Sequence, residues 1–241
     1  MFKKHKTQCF ILKEKEVDEA DIIFFVFSKD FGRLDLLAKS IRKISSKLKP
    51  QMELFSLVEV GFVEGKRGER LVEAKSLERF SRIKRDLKRI FLAQKISEIL
   101  DLLIKGSEKE ERIFNLLKEV FGRLNSLSFK KTEELFCYFF WNLIWILGFL
   151  PNFNECDFCK NKIKENCFFS FEKSNIICSK CRKKEKEKLF LLDFSTIKLI
   201  KLILNQNFSF LEKIKIPKKV VKKCLDFSGK WLNFLLEKNE V

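Results

Sequence analysis

Cys156-Asp-Phe-Cys159 and Cys178-Ser-Lys-Cys181 form two C-x2-C units with eighteen residues between them. Two residues between thiols let one tight turn present both sulfurs to one ion, and a second such knuckle completes a tetrahedron. Four thiolates leave no position for a catalytic water, so the expected ion is a single structural Zn²⁺ that contributes to folding. Asn175, just before Ile176-Ile177-Cys178, suits a hairpin turn that brings the knuckles together. The other four cysteines, Cys9, Cys137, Cys167 and Cys224, sit among apolar neighbours and read as small core residues.

A second group of residues could bind rather than react. Between positions 32 and 50 stand Arg33, Lys39, Arg42, Lys43, Lys47 and Lys49 against one acid, Asp35, with Ser40, Ser45 and Ser46 interspersed. Cations and hydroxyls on a strand and loop can track a phosphate backbone. A bare charge run is otherwise a solvated loop. Arg79, Arg82, Lys84, Arg85, Lys88 and Arg89 form a further cluster, partly answered by Glu78 and Asp86, that could extend this surface or solvate one helix face. The whole chain carries 50 Lys+Arg against 33 Asp+Glu, net +17, which favours polyanionic partners. The excess is spread, with net +4, +4, +4 and +5 over residues 1–75, 76–150, 151–190 and 191–241.

Signals for catalysis are poor. His5 is the only histidine, so no histidine-based triad or metal dyad can be built. The chain has neither GxxxxGK[ST] nor GxGxxG. Asp18-Glu19-Ala20-Asp21 reads as a turn, and Glu110-Glu111 and Glu133-Glu134 lie on charged, helix-like stretches. The expectation is a protein that is not an enzyme.

These residues need a scaffold. With 241 residues and 28 Phe, the chain can bury a core without disulfide staples. Its start, MFKKHKTQCF, lacks the apolar stretch of a signal peptide, so the cysteines are expected to be reduced in the cytoplasm. Thr7–Lys13, Asp21–Ser28, Arg33–Lys39, Met52–Phe62 and Arg70–Lys75 read as five strands, with turns at Lys29–Gly32 and Gly65–Gly68. Five strands in residues 1–76 fit an OB-fold β-barrel. From Leu77 the period becomes helical, through Leu77, Phe80, Ile83, Leu87, Ile90 and Phe91, then Ile113, Leu116, Leu117, Val120, Phe121 and Leu124. Thr196–Leu204 and Val220–Leu236 read as closing helices. Leu135–Leu150 is almost wholly apolar, but its 16 residues, with Asn142 inside, are shorter than the ~20 a membrane span needs; it reads as a core helix. The expected architecture is α+β: a barrel over 1–76, then an all-α domain over 77–241 carrying a zinc element at 154–184.

This layout resembles the RecO family of bacterial recombination mediators. The resemblance rests on Asp18-Glu19-Ala20-Asp21-Ile-Ile, on Phe27-Ser28-Lys29-Asp30-Phe31-Gly32-Arg33-Leu34 with Ala38-Lys39, and on Leu48–Phe55 followed by Leu57–Phe62. It extends to Cys156–Cys159, Phe168-Phe169-Ser170 and Ile177-Cys178-Ser-Lys-Cys181. Ser40 and Lys160 stand where the family commonly has glycine. The resemblance implies a non-enzymatic DNA-repair protein of the RecF pathway, cytoplasmic and nucleoid-associated. It would bind and anneal single- and double-stranded DNA and work with RecR to load recombinase onto strands coated by single-strand-binding protein. Two other classes share parts of this pattern: a zinc-ribbon RNA- or transcription-associated structural protein, and a membrane-surface protein anchored by Leu135–Leu150.

Overall fold

Alternating apolar residues in the first 78 positions wrap a sheet around one core. In the computed structural model, which describes residues 3–65, 68–126 and 130–239, β1 (Lys4–Glu16), β2 (Ile22–Ser28), β3 (Gly32–Ala38), β4 (Leu57–Gly65) and β5 (Gly68–Glu78) form a closed barrel. The order is β1-β2-β3-β5-β4, with β1 antiparallel to both β2 and β4 and only the β3–β5 seam parallel, as expected for an OB barrel. Cys9, Ile11, Phe24, Val26, Leu36, Val58 and Val60 point into it.

Two boundaries differ from the expected ones. Met52 is buried, but the stretch expected to start β4 opens on a 3-10 turn, Lys49–Gln51, and Phe55 has φ +59°, so extended pairing begins only at Leu57. Leu77 belongs to β5 rather than to a helix. Phe80 is buried with φ +44°, a conformation no helix continues through. Helix α1 (Leu87–Leu103) starts where the Asp86 carboxylate accepts from the Lys88 and Arg89 amides at 2.9 and 3.1 Å. Its buried face is Leu92, Ala93, Ile96, Ile99, Leu100 and Leu103; Leu87 and Phe91, counted above on the apolar face, stand outside. Of the turn expected at Gly65–Gly68, Lys66 and Arg67 lie outside the described residues, while Gly65 and Gly68 are a cross-strand pair.

Helix α2 (Glu111–Leu124) buries the six apolar residues expected of it. It also covers the outer face of β1, where Phe10 stacks on Phe121 (5.4 Å between centroids) and meets Phe114 (5.2 Å). Barrel, α1 and α2 together make one compact unit, Met1–Thr132; the second is Glu133–Val241.

The second unit is built on α3 (Thr132–Ile146), which takes up the apolar run and buries Leu135–Trp141, Leu143 and Ile144. Among the described residues no helix is long and apolar enough to cross a membrane. Helices α4 (Phe194–Asn205) and α6 (Lys218–Asn239) match the expected closing helices; α5 (Phe208–Lys213) is an additional short one. Trp141 stacks on Phe227 of α6 at 5.4 Å. A small sheet in the order β7-β6-β8 (β6 Cys167–Ser170, β7 Asn175–Cys178, β8 Phe190–Leu192) joins this core through Phe169, whose ring meets Phe227 at 5.1 Å and Trp231 at 5.4 Å.

Candidate metal centre and nucleic-acid interface

Cys156 and Cys159 sit on one knuckle, closed by Lys160 N–H donating to the Cys156 carbonyl and Cys156 N–H donating to the Asn161 carbonyl, both 2.9 Å. Lys160 completes the turn at φ +55°. That left-handed geometry is one glycine adopts without strain, so Lys160 occupies a position that suits glycine. Cys178 ends β7 and Cys181 lies in the 3-10 turn Ser179–Lys184. The hairpin reversal falls at 171–174, with Ser174 at φ +54°; Asn175, expected in the turn, is the first residue of β7. Its amide donates to Asp157 at 2.7 Å, and Asp157 N–H donates to the Ile176 carbonyl at 2.9 Å, so the first knuckle is stitched to the hairpin that carries the second.

The four sulfurs lie within 4.8 Å of one another, with Cys159 and Cys178 at 3.8 Å. A tetrahedron with Zn–S bonds of ~2.3 Å has sulfurs ~3.8 Å apart, so the set fits one tetrahedral ion. None of the eight cysteines is in a disulfide. Burial opposes ionisation of Cys156, but the backbone N–H groups of Cys178, Cys159 and Phe158 outweigh it and bring the thiol down to about 7. Burial and hydrogen bonding to its three neighbouring sulfurs push Cys181 up to about 12. Cys167 lies outside the cluster; burial pushes it up to about 12, as for a core thiol. Cys9, Cys137 and Cys224 are buried.

Five of the six cations expected to bind phosphate share one loop, between β3 and β4. The Asp18–Asp21 turn anchors that loop: Asp21 Oδ1 accepts from Ser40 N–H at 2.7 Å, and the Ala20 carbonyl accepts from Arg42 N–H at 3.1 Å. Ser40 has φ +55°, again a left-handed conformation that suits glycine. Ile41 and Met52 bury into the end of the barrel, leaving Lys39, Arg42, Lys43, Lys47 and Lys49 exposed. Arg42 pairs with Glu16 at 2.8 Å; among the described residues the four lysines have no acidic partner.

Arg33 is placed differently. Its guanidinium donates to the backbone carbonyls of Asp101 and Ile104 at 3.1 and 2.9 Å and pairs with the Asp101 carboxylate at 2.8 Å. It caps the C-terminus of α1, where helix carbonyls lack partners. The cluster at 79–89 lies on no single helix face. Arg79 and Lys84 pair with Glu53, Arg82 donates to the Asn125 carbonyl, and Arg89 donates to the carbonyls of Leu124 and Ser126. Arg85 and Lys88 remain exposed.

Barrel, helical body and four-cysteine cluster define an α+β protein with a site able to hold one metal ion. The family model described as "Recombination protein O N terminal" matches residues 1–80, and that described as "Recombination protein O C terminal" matches residues 84–241. The chain belongs to the RecO family of DNA repair and recombination proteins, which are not enzymes. It is 27% identical to the DNA repair protein RecO of Caldanaerobacter subterraneus subsp. tengcongensis over 213 residues (88% of this chain, 85% of that protein). Against the protein of the same name from Thermodesulfovibrio yellowstonii, identity is 29% over 230 residues (92% and 90%). The family models meet near residue 82, whereas the compact units divide at Thr132, because α1 and α2 pack on the barrel.

Proposed function

We propose that this protein is a recombination mediator of the RecF pathway. It binds single- and double-stranded DNA, anneals complementary strands, and works with RecR to load recombinase onto strands coated by single-strand-binding protein, in the cytoplasm at the nucleoid. Residues 1–76 are the DNA-binding part. The ion held by Cys156, Cys159, Cys178 and Cys181 is one Zn²⁺ that orders the element at 154–184 and takes no part in DNA chemistry.

The observation that carries this reading is the anchored loop 39–49, in which Lys39, Lys43, Lys47 and Lys49 are exposed among cations with one ion pair between them. Neutralising the phosphates of two strands lowers their mutual repulsion, which is what annealing requires. If Lys39, Arg42, Lys43, Lys47 and Lys49 each meet one phosphate, log affinity for single strands falls against log salt with a slope of about −3.5. The double variant Lys43→Ala/Lys47→Ala should flatten that slope by about 1.4 and slow annealing, with unchanged melting temperature. A double variant with the parental slope would place the DNA elsewhere and overturn the assignment.

A further inference from the structure

A groove of about 540 Å³ runs between the barrel and α1, within the first compact unit. Its barrel side mixes apolar residues, among them Ile41, Met52, Leu54 and Phe55, with charged ones; α1 contributes Ile90 and Gln94. Arg42 and Lys49, from the basic loop, and Lys84 stand on its lining. Of the three acids there, Glu16 pairs with Arg42, and Glu53 pairs with Arg79 and Lys84; Glu14 is the third. The volume lies in the range of sites that enclose small organic ligands, about 300–1,000 Å³.

The apolar surface does not stop at the groove. Leu87, Ile90, Phe91 and Gln94 fall on one stripe of α1 by helical spacing. Leu87 is 85% exposed and Phe91 69%, an unusual pair of large apolar side chains one turn apart in solvent. Lys88 lies beside them, exposed. The charges on the lining itself balance; the positive charge comes from the lysines of the adjoining loop 39–49, unpaired among the described residues, and these, with the apolar part of the wall and an exposed aromatic ring, match a strand with anionic phosphates and flat, apolar-faced bases that also carry polar edges. Gln94 and Glu14 can hydrogen-bond those edges. A paired duplex keeps its base faces stacked inside and cannot use such a surface.

We infer that this groove is a nucleobase cleft, and that Phe91 stacks on a base of single-stranded DNA whose phosphates lie on the loop 39–49. The inference rests on the DNA-binding reading above, and it adds a base-contacting element that discriminates single strands from duplex.

The test uses the full chain, an oligothymidine and a duplex of equal length. Phe91→Ala should weaken oligothymidine binding by about 5- to 150-fold, as loss of one base–aromatic stack does, with the salt slope and duplex affinity unchanged. Its melting temperature should match the parent, since the ring is mostly in water. Phe91→Trp should retain affinity and show indole quenching on addition of oligothymidine but not of duplex. If Phe91→Ala binds oligothymidine as the parent does while Lys43→Ala/Lys47→Ala weakens it, the cleft serves another occupant, such as an apolar peptide, and the inference falls alone. Equal weakening of oligothymidine and duplex by Phe91→Ala would also overturn it. If neither variant weakens binding, the DNA-binding reading falls with it.

Discussion

Arg33→Ala should cost stability and leave the salt dependence of DNA binding untouched. The side chain is 22% exposed and replaces water at two carbonyls of the α1 C-terminus, while pairing with an Asp101 carboxylate that is itself 31% exposed. Hydrogen bonds from a charged donor contribute about 1.5–3 kcal/mol each. Water can reach the vacated carbonyls, and Lys13 still pairs with Asp101 at 3.3 Å, so the net loss should lie at or below the low end of the roughly 3–6 kcal/mol sum, about 2–3 kcal/mol. For a chain of this size that lowers the melting temperature by roughly 5–10 °C. Arg33→Lys should fall between, because one ammonium cannot span two carbonyls and a carboxylate as the planar fork does. Melting followed by circular dichroism gives the first quantity, and fluorescence anisotropy of labelled single strands at several salt concentrations gives the second. A variant that melts with the parent but loses about 0.7 from the salt slope would show that Arg33 is a phosphate ligand and that the capping contacts contribute nothing.

Two further changes test the scaffold. Cys178→Ser should lower bound zinc and melting temperature together, because the ion ties the first knuckle to the hairpin whose Phe169 packs on Phe227 and Trp231; single-strand affinity should stay near parental. Metal analysis of protein purified without added zinc checks it, and a parent with four free thiols and no metal would refute the zinc assignment. Gly32→Ala should destabilise by about 2 kcal/mol or more: Gly32 has φ +63°, and a Cβ there would lie 2.2 Å from the Glu108 carbonyl oxygen, which is backbone and cannot swing away. A variant melting within a degree of the parent would show that residues 107–108 yield freely.

The four-cysteine cluster was legible in the sequence because such a cage is a local object. Two x2 turns set the sulfurs in pairs, and the pairs needed only a short hairpin to meet. The barrel strands and α2 were legible for a related reason: alternation and 3.6-residue spacing record which face is buried, whatever buries it. The start of α1 was not, since Leu77, Phe80, Leu87 and Phe91 keep helical spacing by coincidence; the barrel claims the first for a strand, and a left-handed residue at Phe80 turns the chain. Nor could composition separate Arg33 from Lys43. Both sit in one basic stretch, yet Arg33 meets backbone 68 and 71 residues away, and Lys43 faces water. A charge run states how many cations a surface could have. Which of them remain available to a polyanion is decided by the carbonyls and carboxylates that folding brings to the others, and those partners come from distant parts of the chain.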